Sequence, residues 1–148
     1  MKNPDCPLCQ RTNEHELWGD DFCRVIWVDE PDYPGFCRVI LNRHVKEMTD
    51  LAPQERRRLM DVVFALEAAV RTALHPDKIN LASLGNMVPH LHWHVIPRFA
   101  DDRHFPEAIW AQPMREAGCR ASTQTPPQTD FRPRLVALLR ERLPFYPE

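Results

Sequence analysis

The chain has 148 residues, of which 43% are hydrophobic and 27% charged, enough for one domain that buries a core without disulfides. Its 19 basic and 21 acidic residues give a net charge of −2, which argues against a broad basic face that binds nucleic acid. The five Cys are an odd number, the first residues lack the apolar core of a secretory signal, and no apolar run approaches the roughly 20 residues of a membrane helix. These features predict a soluble, reduced, cytoplasmic protein with neither a nucleic-acid nor a membrane partner.

The first half of the chain predicts two strands followed by one long helix. Residues 23–28 and 36–41 are rich in branched and aromatic side chains, and the turn formers in 29–35 indicate an antiparallel connection. Residues 53–74 carry an apolar stripe at steps of three and four residues, which is typical of an amphipathic helix. The stripe consists of Leu59, Val63, Leu66, Val70 and Leu74.

The second half predicts two more strands and a short final helix. The strands cover 78–84 and 91–98, and a polar, proline-containing stretch over 120–130 is predicted to be an exposed linker. Leucines between 135 and 143 indicate a helix that Pro144 ends. Strands, one long helix, strands and a terminal helix predict a single α+β domain over residues 1–148.

Three histidines alternate with apolar residues in His90-Leu91-His92-Trp93-His94-Val95-Ile96. In a strand, this alternation places the three imidazoles on one face and the apolar side chains on the other. Buried imidazoles need hydrogen-bond partners, so a purely structural strand has little use for such a row. The row therefore indicates a functional site, and a single metal ion could bind all three rings only if the strand bends.

This segment resembles the histidine triad (HIT) signature, His-x-His-x-His followed by two apolar residues. The preceding stretch, 78–89, is similar to a bacterial branch often described as diadenosine tetraphosphate hydrolase-like. The resemblance covers about residues 5–99 and leaves a variable extension over about 100–148. It implies a HIT-like fold, in which an antiparallel sheet of about five strands packs with one long helix and a C-terminal helix, and usually a homodimer.

The resemblance also implies covalent catalysis at the α-phosphate of a small nucleotide, such as a nucleoside 5′-phosphoric anhydride or phosphoramidate. His92 would attack phosphorus to form a nucleotidyl-histidine, His94 would lie beside the phosphate or leaving group as a donor, and His90 would support the row. The chemistry suits imidazole, which is nucleophilic and largely neutral near pH 7. A divalent cation such as Mg²⁺ would suit a polyphosphate substrate, although no carboxylate cluster in the sequence requires one.

Other positions match the family pattern less closely. Asp29 corresponds to an acidic residue that commonly holds ribose hydroxyls, and Asn80 and Asn86 lie where amides commonly approach phosphates; each could equally form a turn. Met87 stands where the family usually has Ser or Thr, so the hydroxyl donor expected there is missing. This departure favours an alternative function, a zinc-stabilised nucleotide-binding protein with little turnover, and a nucleic-acid end-processing enzyme is a weaker third hypothesis.

The spacing of Cys6-Pro7-Leu8-Cys9 lets both thiolates bind one ion. A redox pair and two unrelated buried thiols are the alternatives. Matching to the family supplies His44 and His90 as the remaining ligands of a structural Cys₂His₂ zinc site. His90 would then hold metal while His92 remains free.

The remaining cysteines and histidines are predicted to have no special role. Cys23 and Cys37 lie in predicted strands as small core residues, and Cys119 carries no signal. Three isolated histidines are predicted to lie on the surface: His15, His75 and His104. The aromatic segment 105–110 either covers the nucleotide pocket or packs on the sheet, and packing is favoured.

Overall fold

The computed structural model describes residues 2–118 and 128–143. Its helices are α1 (Pro7–Gln10), α2 (Pro53–Leu74) and α3 (Gln128–Arg142), with a short 3-10 turn at Met48–Asp50. Its strands are β1 (His15–Gly19), β2 (Cys23–Trp27), β3 (Cys37–Leu41), β4 (Lys78–Ala82) and β5 (His92–Arg98).

The five strands form one antiparallel sheet in the order β1-β2-β3-β5-β4. This arrangement confirms the predicted α+β fold with a five-stranded sheet, one long helix and a C-terminal helix. The sequence predicts four of the strands to within two residues at each end and gives no indication of β1. That strand is a short edge strand in which no residue is fully buried, so its sequence lacks the apolar density of β2 and β3.

One face of the sheet packs against α2 and α3 and forms the main core. Both Cys23 and Cys37 are fully buried there, as predicted. The start of α2 has no side-chain cap at Ala52, and instead the Glu55 carboxylate accepts the Ala52 backbone N–H at 2.9 Å. At its other end the helix stops at His75, whose backbone takes a left-handed conformation.

The opposite face of the sheet carries the polar side chains of β3 and β5. Register pairs Arg38 with His94 and Ile40 with His92, so these side chains project to the same side. The segment after β5 returns over part of this face and packs Ile109 against a small apolar cluster of Tyr33, Phe36 and Ile96. This second face is the one that bears the site.

The C-terminal part differs from the prediction at one boundary. Helix α3 begins at Gln128, so the linker predicted over 120–130 is wrong at its last three residues, while 120–127 lies outside the described residues. Cys119 and Pro144 also lie outside them. Within the described ranges, no helix combines the length and the apolar character needed to cross a bilayer.

Candidate functional site

His92 and His94 lie on β5 with their rings on the face away from α2, as the alternation predicts. His90 precedes the strand and is fully buried. Leu91 and Val95 lie in the core on the helix side. The histidine row is therefore two strand residues and one residue of the connection before the strand.

One nitrogen of the His92 ring is engaged and the other is available. Nδ1 lies 2.6 Å from the His90 carbonyl oxygen, and a carbonyl can only accept, so Nδ1 carries the proton. Nε2 consequently keeps its lone pair. Burial lowers the pKa of His92 and the nearby Arg38 charge lowers it further, whereas the hydrogen bond that Nδ1–H donates to the His90 carbonyl raises it. The net lowering favours the neutral ring that a nucleophile requires.

A hydrogen bond also decides which ring nitrogen of His94 carries the proton, and here the nitrogen is Nε2 rather than Nδ1. The Nε–H of Arg38 donates to Nδ1 of His94 at 3.4 Å, a long bond, which leaves the proton of the neutral ring on Nε2. Burial, with smaller contributions from His92 and Arg38, lowers the pKa of His94 to about 3. His94 is thus a neutral donor whose ring meets those of His92 and Trp110 edge-on, with centroids 4.8 and 5.1 Å apart.

A cavity of about 320 Å³ opens over these two rings. Its lining is mostly apolar with a few polar side chains, which is the usual character of a small-molecule site. The lining residues are Leu8, Arg38, Leu84, Gly85, Asn86, Met87, Val88, His92, His94 and Trp110.

The second cluster of the site consists of Cys6, Cys9, His44 and His90, whose ligand atoms all lie within 4.8 Å of one another. Nδ1 of His90 lies 3.3 Å from Sγ of Cys6 and 3.5 Å from Sγ of Cys9, and Nδ1 of His44 lies 3.4 Å from Sγ of Cys9. Tetrahedral zinc with bonds of about 2.3 Å to sulfur and about 2.1 Å to nitrogen would separate such atoms by about 3.6 Å. The three short contacts are close to this separation and all pairs lie within 4.8 Å, so the four side chains could close around one zinc ion.

The hydrogen bonding of His90 also suits a metal ligand. Its Nε2–H donates to the Leu41 carbonyl oxygen at 2.7 Å, which leaves the lone pair on Nδ1 directed at the two cysteines. These four side chains could hold a metal, as predicted from the sequence. Among the described residues no other group of at least three ligating side chains was found, and nothing there supports a Mg²⁺ site.

The structure brings only one of the three predicted nucleotide-binding side chains outside the histidine row to the cavity. Asn86 lines it, next to the almost fully exposed Met87. Asn80 projects to the same face of the sheet, but its Oδ1 accepts from Arg98 at 2.7 Å. Asp29 does not line the cavity and pairs with His15 at 3.0 Å and with Arg132 at 2.7 Å.

The prediction that His104 lies on the surface is wrong. The ring is buried, hydrogen-bonds through Nδ1 to the Tyr33 hydroxyl and stacks on the Tyr33 ring at 5.8 Å between centroids. The Asp102 carboxylate fixes this turn because it accepts the backbone N–H groups of His104 and Phe105 at 3.0 and 2.8 Å. Tyr33 is 71 residues away along the chain, and Asp102 lies in the same irregular segment as His104. No periodic pattern in the sequence therefore indicates that His104 is buried. His15 and His75 are exposed, as predicted.

Trp110 and Arg38 line the cavity, although the sequence favoured packing for the segment of the first and suggested no role for the second. The aromatic segment was predicted to pack on the sheet, and Ile109 does so, but Trp110 is 52% exposed and forms part of the cavity wall. Arg38 lies in a strand otherwise apolar, where one charged residue commonly marks the solvent side. The strand register opposite His94 is the signal that could have identified it.

The chain matches the HIT domain family model over residues 11–101. Solved structures with the same fold include a histidine triad protein from Marinobacter aquaeolei VT8, at 26% identity and a TM-score of 0.72 over 92% of this chain and 97% of that chain. A histidine triad protein from Sinorhizobium meliloti 1021 is 24% identical, with a TM-score of 0.69 over 94% and 98% of the two chains. A zinc-bound histidine triad family protein from Mycobacterium smegmatis is 22% identical, with a TM-score of 0.62 over 93% and 94%. Comparison with curated proteins gave no match.

Proposed function

We propose that this chain, which belongs to the HIT domain family, hydrolyses or transfers nucleotides by cleaving at the α-phosphate of a nucleoside 5′-phosphoric anhydride or phosphoramidate. The family consists in general of nucleotide-binding hydrolases and transferases. The observation that carries the proposal is the state of His92: its Nδ1–H is held by the His90 carbonyl, and its Nε2 lone pair is free at an apolar cavity.

The reaction takes place in two displacements. Nε2 of His92 forms a bond to the α-phosphorus while the bond from phosphorus to the leaving oxygen or nitrogen breaks, and the electron pair stays with the leaving atom, which takes a proton from solvent. Water then attacks phosphorus and releases a proton, and the electron pair of the nitrogen–phosphorus bond returns to Nε2. The Nδ1–H bond to the His90 carbonyl stabilises the imidazolium of the intermediate.

The other cavity residues hold the substrate. The Nε2–H of His94 donates to the phosphate or the leaving group, and the Asn86 amide is a second candidate phosphate contact. The exposed ring of Trp110 offers a stacking surface for the base. Asp29 and Asn80 would bind ribose or phosphate only after exchanging their present partners.

The finer predictions from the sequence belong to the same proposal. Zinc bound by Cys6, Cys9, His44 and His90 would fix the N-terminal segment and the residue before β5, and so would support the strand that bears His92. Diadenosine polyphosphates are the first substrates to test, and a homodimer in the cytoplasm is the expected form.

The proposal is tested with diadenosine polyphosphates and adenosine 5′-phosphoramidate. We expect AMP release and, after acid-free quenching, a mass shift of one nucleotidyl group on the peptide that contains His92. His92→Ala should abolish both, whereas His75→Asn, a change at an exposed histidine whose left-handed backbone suits Asn, should alter neither. An adduct that forms on His92→Ala, or AMP release that persists in it, would contradict the role of His92.

The absent hydroxyl at Met87 favours a second candidate, a nucleotide-binding protein with little turnover. The same experiment separates the two. Nucleotide binding without AMP release and without an adduct on any substrate of the panel supports the binding protein.

A further inference from the structure

The face of the sheet that bears the site carries three arginines, Arg24, Arg38 and Arg98, one on each of β2, β3 and β5. Arg24 and Arg98 are fully buried, and each is paired with a carboxylate. Arg24 binds Glu14 through Nε and Nη2, both at 2.6 Å. Arg98 binds Asp102 at 2.7 and 3.0 Å.

Arg38 lies between these two pairs and has no such partner. Within residues 2–118 and 128–143 no carboxylate forms an ion pair with it, and its one hydrogen bond is the long bond from Nε to His94. The guanidinium lies 5.6 Å from the centre of the Phe36 ring and lines the cavity. Its terminal amino groups make no hydrogen bond to another described residue.

An unpaired, half-buried cation is costly, because burial removes water from the charge and no protein anion replaces it. Desolvation accordingly lowers the pKa of Arg38, and the Glu14 carboxylate, which forms its ion pair with Arg24, opposes this only in part; a guanidinium stays charged at neutral pH. The cost falls when an anion enters the cavity, since a guanidinium presents two parallel N–H donors that match phosphate oxygens.

We infer that Arg38 binds the phosphate of the ligand, with its terminal amino groups donating to non-bridging oxygens while Nε stays on His94. This inference rests on the proposed function for the choice of a nucleotide as ligand. Arg38 would thereby supply hydrogen-bond donors beside His92 in a site where Met87 provides none. The cavity should consequently bind a nucleoside 5′-phosphate and discriminate against the uncharged nucleoside.

Binding measured by calorimetry tests this without turnover. AMP and adenosine are titrated into the wild type, Arg38→Met and Arg38→Lys, and into Arg57→Met, which removes one arginine from the exposed side of α2. We expect wild type to bind AMP at least about tenfold more tightly than adenosine, and Arg38→Met to lose about 10- to 100-fold in AMP affinity while adenosine affinity stays the same. Arg38→Lys should fall between the two because it restores the charge and lacks the planar fork. Arg57→Met should match wild type.

Thermal unfolding checks each variant first, and Arg38→Gln replaces Arg38→Met if the latter does not fold. Equal AMP affinity in wild type and Arg38→Met overturns the inference. An equal loss of affinity for AMP and for adenosine also overturns it, because that is the result expected of a structural role. A wild-type protein that binds AMP no more tightly than adenosine overturns it as well. Arg38-dependent AMP binding without any AMP release would support this inference and reject the hydrolase.

Discussion

The two ends of the histidine row consist of the same residue type at the same spacing, but their ring nitrogens differ in what they contact. At the closed end, Nε2 of His90 is bonded to the Leu41 carbonyl and Nδ1 faces two cysteines, so both nitrogens are occupied. At the open end, His92 and His94 each use one nitrogen on a protein partner and direct the other toward the cavity. The partner of the second ring nitrogen therefore decides whether a histidine of this row serves structure or chemistry.

The difference originates in the backbone. His90 lies before β5, where its N–H bonds to Val88 rather than to a neighbouring strand, and its ring turns toward the N-terminal segment. His92 is the first residue of β5 and pairs with Ile40 in the ladder. His90, two residues before the strand begins, therefore joins distant segments, whereas His92, the first residue of the strand, faces the cavity.

The largest effect is expected from breaking the closed end. Cys6→Ser removes one of the four proposed ligands, so we expect metal content, measured by elemental analysis, to fall from about one zinc per chain to well below half. Because the ion would join the N-terminal segment to His44 and His90, the melting temperature should fall by about 10 °C, or roughly 3–4 kcal/mol. Cys23→Ala, which truncates a core thiol outside the cluster, should leave zinc content unchanged. A wild-type protein that contains no metal and is nevertheless stably folded would contradict the zinc site.

Truncation at the open end should change the rate and leave the metal in place. His94→Ala removes the neutral Nε2–H donor, and we expect AMP release to slow by about 100-fold, as for other single donors to a developing charge. His94→Gln should recover part of the rate because its amide can donate. Zinc content should stay close to that of wild type. A loss of zinc in His94→Ala would show that the two ends are not separable.

The sequence predicted what depends on local pattern and missed what depends on distant contacts. Alternation placed His92 and His94 on one face, and periodicity gave the bounds of α2. The grouping of Cys6 with His44 and His90 came from family resemblance, because residues more than 30 positions apart carry no common local signal. The burial of His104 and the exposure of Trp110 could not be predicted from local pattern, because both depend on how one irregular segment packs over the sheet.

Trp110 provides a smaller test at the open end, which concerns the ligand rather than the reaction. If its ring stacks on the base, Trp110→Ala should weaken AMP binding by about tenfold, and Trp110→Phe should restore most of the loss. Inorganic phosphate binding, measured by the same calorimetry, should be unaffected, since the ring would touch no phosphate. Equal weakening of both ligands would show instead that Trp110 acts by holding His94 in place.

The smallest expected effect lies where the two ends meet. Leu8 belongs to the turn between the two cysteines, and its carbonyl accepts from Nη2 of Arg24 at 2.6 Å, yet the residue also lines the cavity that His92 lines. Truncation of this half-buried side chain in Leu8→Ala should weaken AMP binding by about three- to fivefold through lost apolar contact, with zinc content unchanged. That result would make one wall of the cavity a product of the turn between Cys6 and Cys9, so that loss of a metal bound there would weaken ligand binding through Leu8 as well as through the strand that bears His92. Unchanged AMP affinity would mean that the Leu8 side chain contributes nothing to ligand binding.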